Sequence, residues 1–241
     1  MEAHVNELAL FAGAGGGILG GHLLGWTTVC AVERDLYAAS VLAQRQNDGC
    51  LPPFPIWSDV ETFDGRAWRG LVDVVSGGDP CQANSNASRN GKAAVSLGGE
   101  FIRIVREVQP LLVVRENPYT VRADAPWPWW KFRDALGEIG YRSIIFKAGA
   151  CCVGGHIPKV RAYIIAVQGA QCAGLEGDVC GLLEEALQGR QDAHLARPDW
   201  GNPAPRICGA TDGVAHRVDR IRALGNGQVP AVAAAAWRIL S

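Results

Sequence analysis

Charge of either sign is not in excess in this 241-residue chain: 23 lysines and arginines stand against 24 aspartates and glutamates, a formal net charge of −1. That balance excludes a global positive field of the kind that advertises nucleic-acid binding, so phosphate contacts would need basic residues gathered locally. Repeated C-x-x-C spacing is missing too. The eight cysteines include the adjacent pair Cys151 and Cys152 but no ligand pattern, which argues against zinc or any other metal. No secretory signal is evident, so the thiols read as reduced and the protein as cytoplasmic. Internal repeats are lacking, and 241 residues with 48% apolar suit one large globular domain or one domain with a small appendage.

One stretch lacks charge altogether. Leu8 to Val32 is long enough to span a bilayer. It holds seven glycines (Gly13, Gly15, Gly16, Gly17, Gly20, Gly21 and Gly25), and Glu33 rather than a basic flank follows it. Each interior glycine costs a helix roughly 1 kcal/mol, so a membrane span is set aside.

The same stretch divides naturally into strand, loop, helix and strand. Glu7 to Phe11 is a short apolar run stopped by glycine, Gly13 to Gly17 a loop, Ile18 to Leu24 a helix, and Thr27 to Val32 a β-branched strand ending at Glu33. That is a nucleotide-cofactor layout. A helix over Tyr37 to Asn47 follows. Strands are expected at Val72–Ser76, Leu111–Arg115, Ser143–Lys147 and Ala162–Val167, with helices at Gly99–Val108 and Trp129–Ile139. Alternating strands and helices imply an α/β fold with a mostly parallel sheet. The character changes after Gln168, in a region rich in Gly, Ala, Cys and Pro with one helical pattern near Leu182–Leu187. A helical stretch, Pro230 to Leu240, ends the chain.

Three constellations carry chemistry. Phe11-Ala-Gly13-Ala-Gly15-Gly16 allows close backbone approach to a ligand, and Glu33 could hold two ribose hydroxyls; a tight turn beside a solvated acid fits those residues equally. Ser76-Gly77-Gly78-Asp79-Pro80-Cys81-Gln82 presents a thiol from a loop at a strand's C-terminal end, where open α/β sheets place their ligand sites. Gly, Pro, Gln82, Asn84 and Ser85 are poor core formers, which favours a nucleophile over a buried structural cysteine. Val113-Val114-Arg115-Glu116-Asn117-Pro118 ends another strand in polar residues, and Glu116 should project from the same sheet edge, able to protonate a bound base or simply to be solvated.

Taken in order, Phe11-x-Gly13-x-Gly15-Gly16, Pro80-Cys81-Gln82, Glu116-Asn117 and Gly225-Asn226-Gly227-Gln228-Val229-Pro230 resemble the motifs of the cytosine-C5 DNA methyltransferases. The resemblance covers most of the chain outside roughly 168–214. It implies a Rossmann-like fold, the cofactor S-adenosylmethionine and double-stranded DNA as partner. It divides the chain into a catalytic and cofactor-binding domain (1–167), a very small target-recognition region (168–214) and a returning C-terminal segment (215–241). Phe11, Gly13 and Gly15 would line the cofactor site with Pro80, Glu33 would bind the ribose, and Asp59 would meet the adenine amino group. Asn226 would belong to the terminal motif that closes this domain. Cys81 would attack C6 of a flipped-out cytosine, Glu116 would bind the N3 edge and Arg161 would help position the base. Gln82, Ser85, Asn117 and Lys159 would contact the substrate.

Several features depart from that pattern. Asp79 replaces the usual proline; its carboxylate could raise the Cys81 pKa if close, or point to solvent. Ile157 stands where the family has glutamine, and Lys159, which can still meet a phosphate, where it has arginine. The variable region is short, and its basic residues suit phosphate contact better than extensive base reading, so a small target site is expected. An RNA (transfer RNA) cytosine-C5 methyltransferase, an impaired DNA- or cofactor-binding relative and an altered sulfonium donor stay open. A monomer in the cytoplasm of a bacterium or a phage-infected host, in a restriction-modification or phage role, is compatible with the sequence.

Overall fold

The computed structural model describes residues 4–80, 97–118, 127–154, 159–169, 219, 223 and 226–238. Cys81, Gln82, Ser85 and Ile157 lie outside the described residues, as does nearly all of the variable region and its expected helix at Leu182–Leu187.

Seven strands form one sheet: β1 (Asn6–Leu10), β2 (Thr27–Val32), β3 (Ile56–Trp57), β4 (Val74–Gly77), β5 (Leu112–Pro118), β6 (Tyr141–Ala148) and β7 (Arg161–Gln168), in the spatial order β3-β2-β1-β4-β5-β7-β6. The first five pair in parallel, and β7 runs antiparallel between β5 and β6. The helices are α1 (Gly16–His22), α2 (Leu36–Asn47), α3 (Gly98–Val108), α4 (Trp129–Glu138) and α5 (Pro230–Trp237). This is the Rossmann-like, mostly parallel sheet expected of the chain. None of the described helices is long and apolar enough to cross a membrane.

The strand alternation decides which face each layer covers. Leu8 and Leu10 of β1 join Val32, Val75, Val113 and Ile164 against α3 and α4, whose Phe101, Ile104, Val105, Val108, Phe132 and Leu136 recur at helical spacing. Ala9 and Ala31 face the other way, against Ile18 of α1 and Leu42 of α2. On that side α5 seals the sheet, with Val232, Ala233, Ala236 and Trp237 packed on Val114, Tyr163 and Ile165. Asp35 caps α2 by accepting from the Ala38 N–H at 3.0 Å, and α3 ends at Gln109 in the left-handed region ahead of Pro110.

One stretch adds elements that the sequence leaves unmarked, and two expectations need correction. Strand β3 and the 3₁₀ turns at Val60–Thr62 and Gly65–Trp68 fall in a stretch without visible periodicity. Strand β5 does not stop at Arg115 but runs through Glu116 and Asn117 to Pro118, because β7 pairs with it residue for residue. Glu7, placed in an apolar run, is a fully buried carboxyl that accepts from Ser76 Oγ at 2.6 Å and Thr28 Oγ1 at 2.7 Å on its two flanking strands.

Burial pushes Glu7 up to about 7, outweighing the Ser76 and Thr28 hydroxyls that favour its charged form. A folded-state value above the unfolded ~4.3 means that the folded protein holds this proton more tightly. Its contribution is therefore full below the unfolded value and lost as pH rises through about 7. Glu7→Gln keeps the size and cannot ionise. Between pH 5 and 8 the variant should lose roughly 2 kcal/mol less stability than the parent, measured by urea unfolding. Parallel stability-pH curves would contradict this.

Candidate active site

The C-terminal ends of β1, β2, β4 and β5 meet at one edge of the sheet, and the antiparallel β7 brings its first residue there as well. Everything singled out by the motifs, as far as it is described, gathers along that edge.

Its cofactor half is organised around the turn after β1. Phe11 sits at φ 51°, an uncommon left-handed conformation for a side-chain-bearing residue, and Gly13 at φ 54°. Gly13 N–H donates to Glu33 Oε2 at 2.6 Å, and Asp35 N–H donates to Oε1 at 2.7 Å. Glu33 thus ties the glycine turn to the end of β2, and each oxygen keeps a further lone pair for a hydroxyl donor. Burial raises its pKa, against the backbone N–H groups of Asp35 and Gly13. Asp59 accepts from the Glu61 N–H at 3.0 Å and opens the 3₁₀ turn that buries Val60. Among the described residues, nothing lies within 4 Å of where a side chain on Gly13 would begin. An acid after β2 able to accept from vicinal hydroxyls, a second acid just past the adjacent strand β3, and the open backbone of the Gly13 turn after β1 on the other side fit S-adenosylmethionine.

The terminal motif closes this half from below. A Cβ on Gly16 would run into the carbonyl oxygen of Gln228, so only glycine allows that approach. Gln228 also reaches Gly17 and Gly78, and its buried Oε1 has no hydrogen-bond partner among the described residues. Asn226 itself is exposed. Lys159 Nζ donates to the Gly227 carbonyl at 2.6 Å, so the ammonium expected to meet a phosphate also fastens the segment ahead of β7 to this motif.

The other half holds acids and their counter-ions. Glu116 is 4% exposed, and Arg161 Nε lies 2.8 Å from its Oε1, yet among the described residues that oxygen has no aligned hydrogen bond. Burial pushes the Glu116 carboxyl up to about 7; Arg161 and Lys159 pull it down, Asp79 pushes it up, and Arg115 pulls it down. Such a group exchanges a proton near neutrality. Gly78 lies against it: a Cβ there would stand 2.9 Å from Glu116 Oε2. Pro80 follows, leading directly to Cys81.

Asp79 does not point to solvent. It is 4% exposed, and Arg115 grips it with both arms of its guanidinium, Nε to Oδ1 at 2.5 Å and Nη2 to Oδ2 at 2.9 Å. Asn117 Nδ2 donates to the Asp79 carbonyl and to Oδ1, both at 3.0 Å, so Asn117 braces the Pro80 loop from inside the strand. Arg115 and Gln228 stand inside the motifs, but only their partners in the fold give them a role. An arginine inside an otherwise apolar strand, one residue before Glu116, was the available signal. Among the described residues no group of His, Cys, Asp and Glu side chains could hold a metal ion.

Comparison with known proteins agrees with this layout. Residues 5–173, well over half of the chain, match the family described as C-5 cytosine-specific DNA methylase. The Type II methyltransferase M.Eco47II of Escherichia coli is 35% identical over 142 residues, covering 56% of this chain and 32% of the relative. M.DdeI of Desulfomicrobium norvegicum is 27% identical over 173 residues, 68% of this chain and 41% of that protein. The chain therefore spans less than half the length of either. Among solved structures, one described as a DNA modification methyltransferase encoded within an E. coli prophage aligns with TM-score 0.55 and 26% identity, over 68% of this chain and 47% of that one. Dnmt2 methyltransferase of S. pombe shares the fold at TM-score 0.58 and 16% identity, over 78% of this chain and 55% of that one. With the motifs in order, the sheet matching and the acids meeting at one edge, the chain belongs to the C-5 cytosine-specific DNA methylase family.

Proposed function

We propose that this protein methylates C5 of cytosine in duplex DNA, with S-adenosylmethionine as donor and Cys81 as nucleophile. One observation carries the reading furthest. Glu116, a buried carboxyl that burial pushes up to about 7, lies beside Gly78 and is paired with Arg161, on the strand adjacent to the one that leads into Cys81.

C5 of cytosine is a poor nucleophile. Addition of the Cys81 thiolate to C6 forms an S–C6 bond and pushes the C5–C6 electron pair toward N3, where a protonated Glu116 delivers its proton. The resulting enamine makes C5 nucleophilic. When bound, the cofactor supplies an electrophilic methyl group to that carbon. Loss of the C5 proton then re-forms the double bond and expels Cys81 as thiolate, and N3 returns its proton to Glu116. Arg161 holds Glu116 in place and limits how far burial raises its pKa. Glu33 and Asp59 orient the cofactor's ribose and adenine, and the open backbone at Gly13 makes room for it. A stacked base cannot reach such a recess, so the cytosine is turned out of the helix. Gln82, Ser85 and Lys159 are assigned to the DNA strand around it.

Purified protein with methyl-labelled S-adenosylmethionine should label cytosine C5 in duplex DNA and leave transfer RNA unlabelled. Label confined to transfer RNA would replace the DNA reading with the RNA one. Cofactor binding without label in either would make the chain a binding relative.

A further inference from the structure

Arg115 has no part in the reaction set out above, yet it is among the largest fully buried side chains. It sits in register with Gly77, where β4 hands over to the nucleophile's loop. Besides the two-armed contact with Asp79, its guanidinium lies 4.1 Å over the ring of Phe132 and 5.3 Å over that of Trp129. Its Nη2 also approaches the Trp127 carbonyl at 3.4 Å. The Trp127 ring in turn presses on Gly98, the first residue of α3, where a Cβ would stand only 2.7 Å from it. One cluster thus fixes the chain on both sides of the segment that carries Cys81: Asp79 just before it and Gly98 just after.

We propose that Arg115 is a positioning residue for Cys81, anchoring the entry to the nucleophile's loop through Asp79 and cancelling the charge of that carboxylate. This inference rests on the assignment of Cys81 as nucleophile. A carboxylate two residues from a thiolate opposes its formation unless a cation is held against it. The family's usual proline at position 79 needs no counter-ion. An aspartate does, and the neighbouring strand supplies one. The other charges near Asp79 are already engaged: Glu116 is the acid beside it, and Arg161 and Lys159 act on Glu116. A buried ion pair is a poor device for stability, because desolvation offsets its attraction. Its two-armed geometry is a good device for setting an angle.

The test compares Arg115→Met, Arg115→Lys and the double variant Asp79→Pro/Arg115→Met. Two readouts are used: kcat and KM on duplex DNA, and the pH profile of Cys81 alkylation by iodoacetamide, followed by mass spectrometry of the Cys81 peptide. Arg115→Met should lower kcat at least about tenfold, leave KM for S-adenosylmethionine within about threefold, and move the alkylation midpoint up by roughly one pH unit. The double variant removes both buried charges and should return the midpoint to the parent's and kcat to within about fivefold. Arg115→Lys keeps the charge and loses the fork, so its midpoint should stay while kcat falls. Parental kcat and alkylation in folded Arg115→Met would overturn the proposal, as would a double variant no better than the single. If Arg115→Met does not fold, Arg115→Lys with parental kcat overturns it just as well. Alkylation needs neither donor nor DNA, so a parent protein that methylates nothing would sink the functional reading while these profiles still judge Arg115.

Discussion

With Cys81→Ala, duplex DNA containing 5-fluorocytosine should no longer be trapped, and methyl transfer should fall by on the order of 10⁴-fold or more, as when an enzyme loses its nucleophile. The parent protein should form a complex that survives denaturation when S-adenosylmethionine is present. After methyl transfer C5 would carry fluorine where it normally carries a proton. Fluorine cannot leave as a cation, so the elimination that frees the thiolate stalls and the S–C6 bond persists. Alanine has no atom to make that bond. Electrophoresis under denaturing conditions separates trapped from free DNA, and any residual trapping by the alanine variant would end the assignment. Trapping that is lost with Cys81 alone assigns the bond to that thiol among the eight cysteines. Among the described cysteines, Cys30 is buried with its thiol pushed up to about 11 by burial, and Cys50, Cys151 and Cys152 are exposed.

Glu116→Gln should lower kcat by roughly 10²–10⁴-fold, the range for a positioned proton donor. The amide has nearly the shape of the carboxyl and can still hydrogen-bond a base edge, but it has no proton to give. The direction of the pH dependence follows from burial, which raises Glu116 to about 7. Below that value the carboxyl is protonated and competent. Above it the proton is gone, so kcat/KM of the parent should decline on the alkaline side while thiolate formation limits it on the acid side. The alkaline decline should vanish in Glu116→Gln, leaving a low rate that no longer falls with rising pH. Thermal stability should hold or improve slightly, since a neutral amide is cheaper to bury than an acid that ionises near neutrality. A variant with full activity, or one with the parent's alkaline limb intact, would remove Glu116 from the reaction.

How far the sequence could be read depended on where each signal resides. Strand β2 and helix α2 are legible because their information is local: a β-branched run, and an aspartate placed to cap. The motif residues are legible because glycine, proline and cysteine restrict or permit backbone states that nothing else does. Glu33, expected at a strand end beside a glycine loop, does lie there, bonded to Gly13. What stayed hidden depends on partners distant in sequence. Strand β5 continues past Arg115 because β7, some fifty residues later, satisfies its backbone. Asp79 is intelligible only once Arg115 is seen beside it, and Glu7 only beside Ser76 and Thr28. A charge in a strand is a puzzle along the chain and a pair across it. Lys159 was given a phosphate on the strength of its charge, without the Gly227 carbonyl that lies within its reach.

The last helix sets a timetable for the folding chain. Trp237 of α5 stacks on Trp26 at 5.0 Å between ring centroids, with the rings 3° from parallel, and Ala233 presses on Gly20 of α1. These partners are separated by more than two hundred residues. At ribosomal elongation rates the interval between them is roughly 10–40 s, long compared with the microseconds needed to collapse what has already emerged. Throughout that interval Trp26 and the small-residue face of α1 lack their cover. The nascent chain therefore waits, half sealed, with Trp26 and one face of α1 facing outward. Chaperone capture of ribosome-bound chains should accordingly persist until α5 emerges and end abruptly once it has docked.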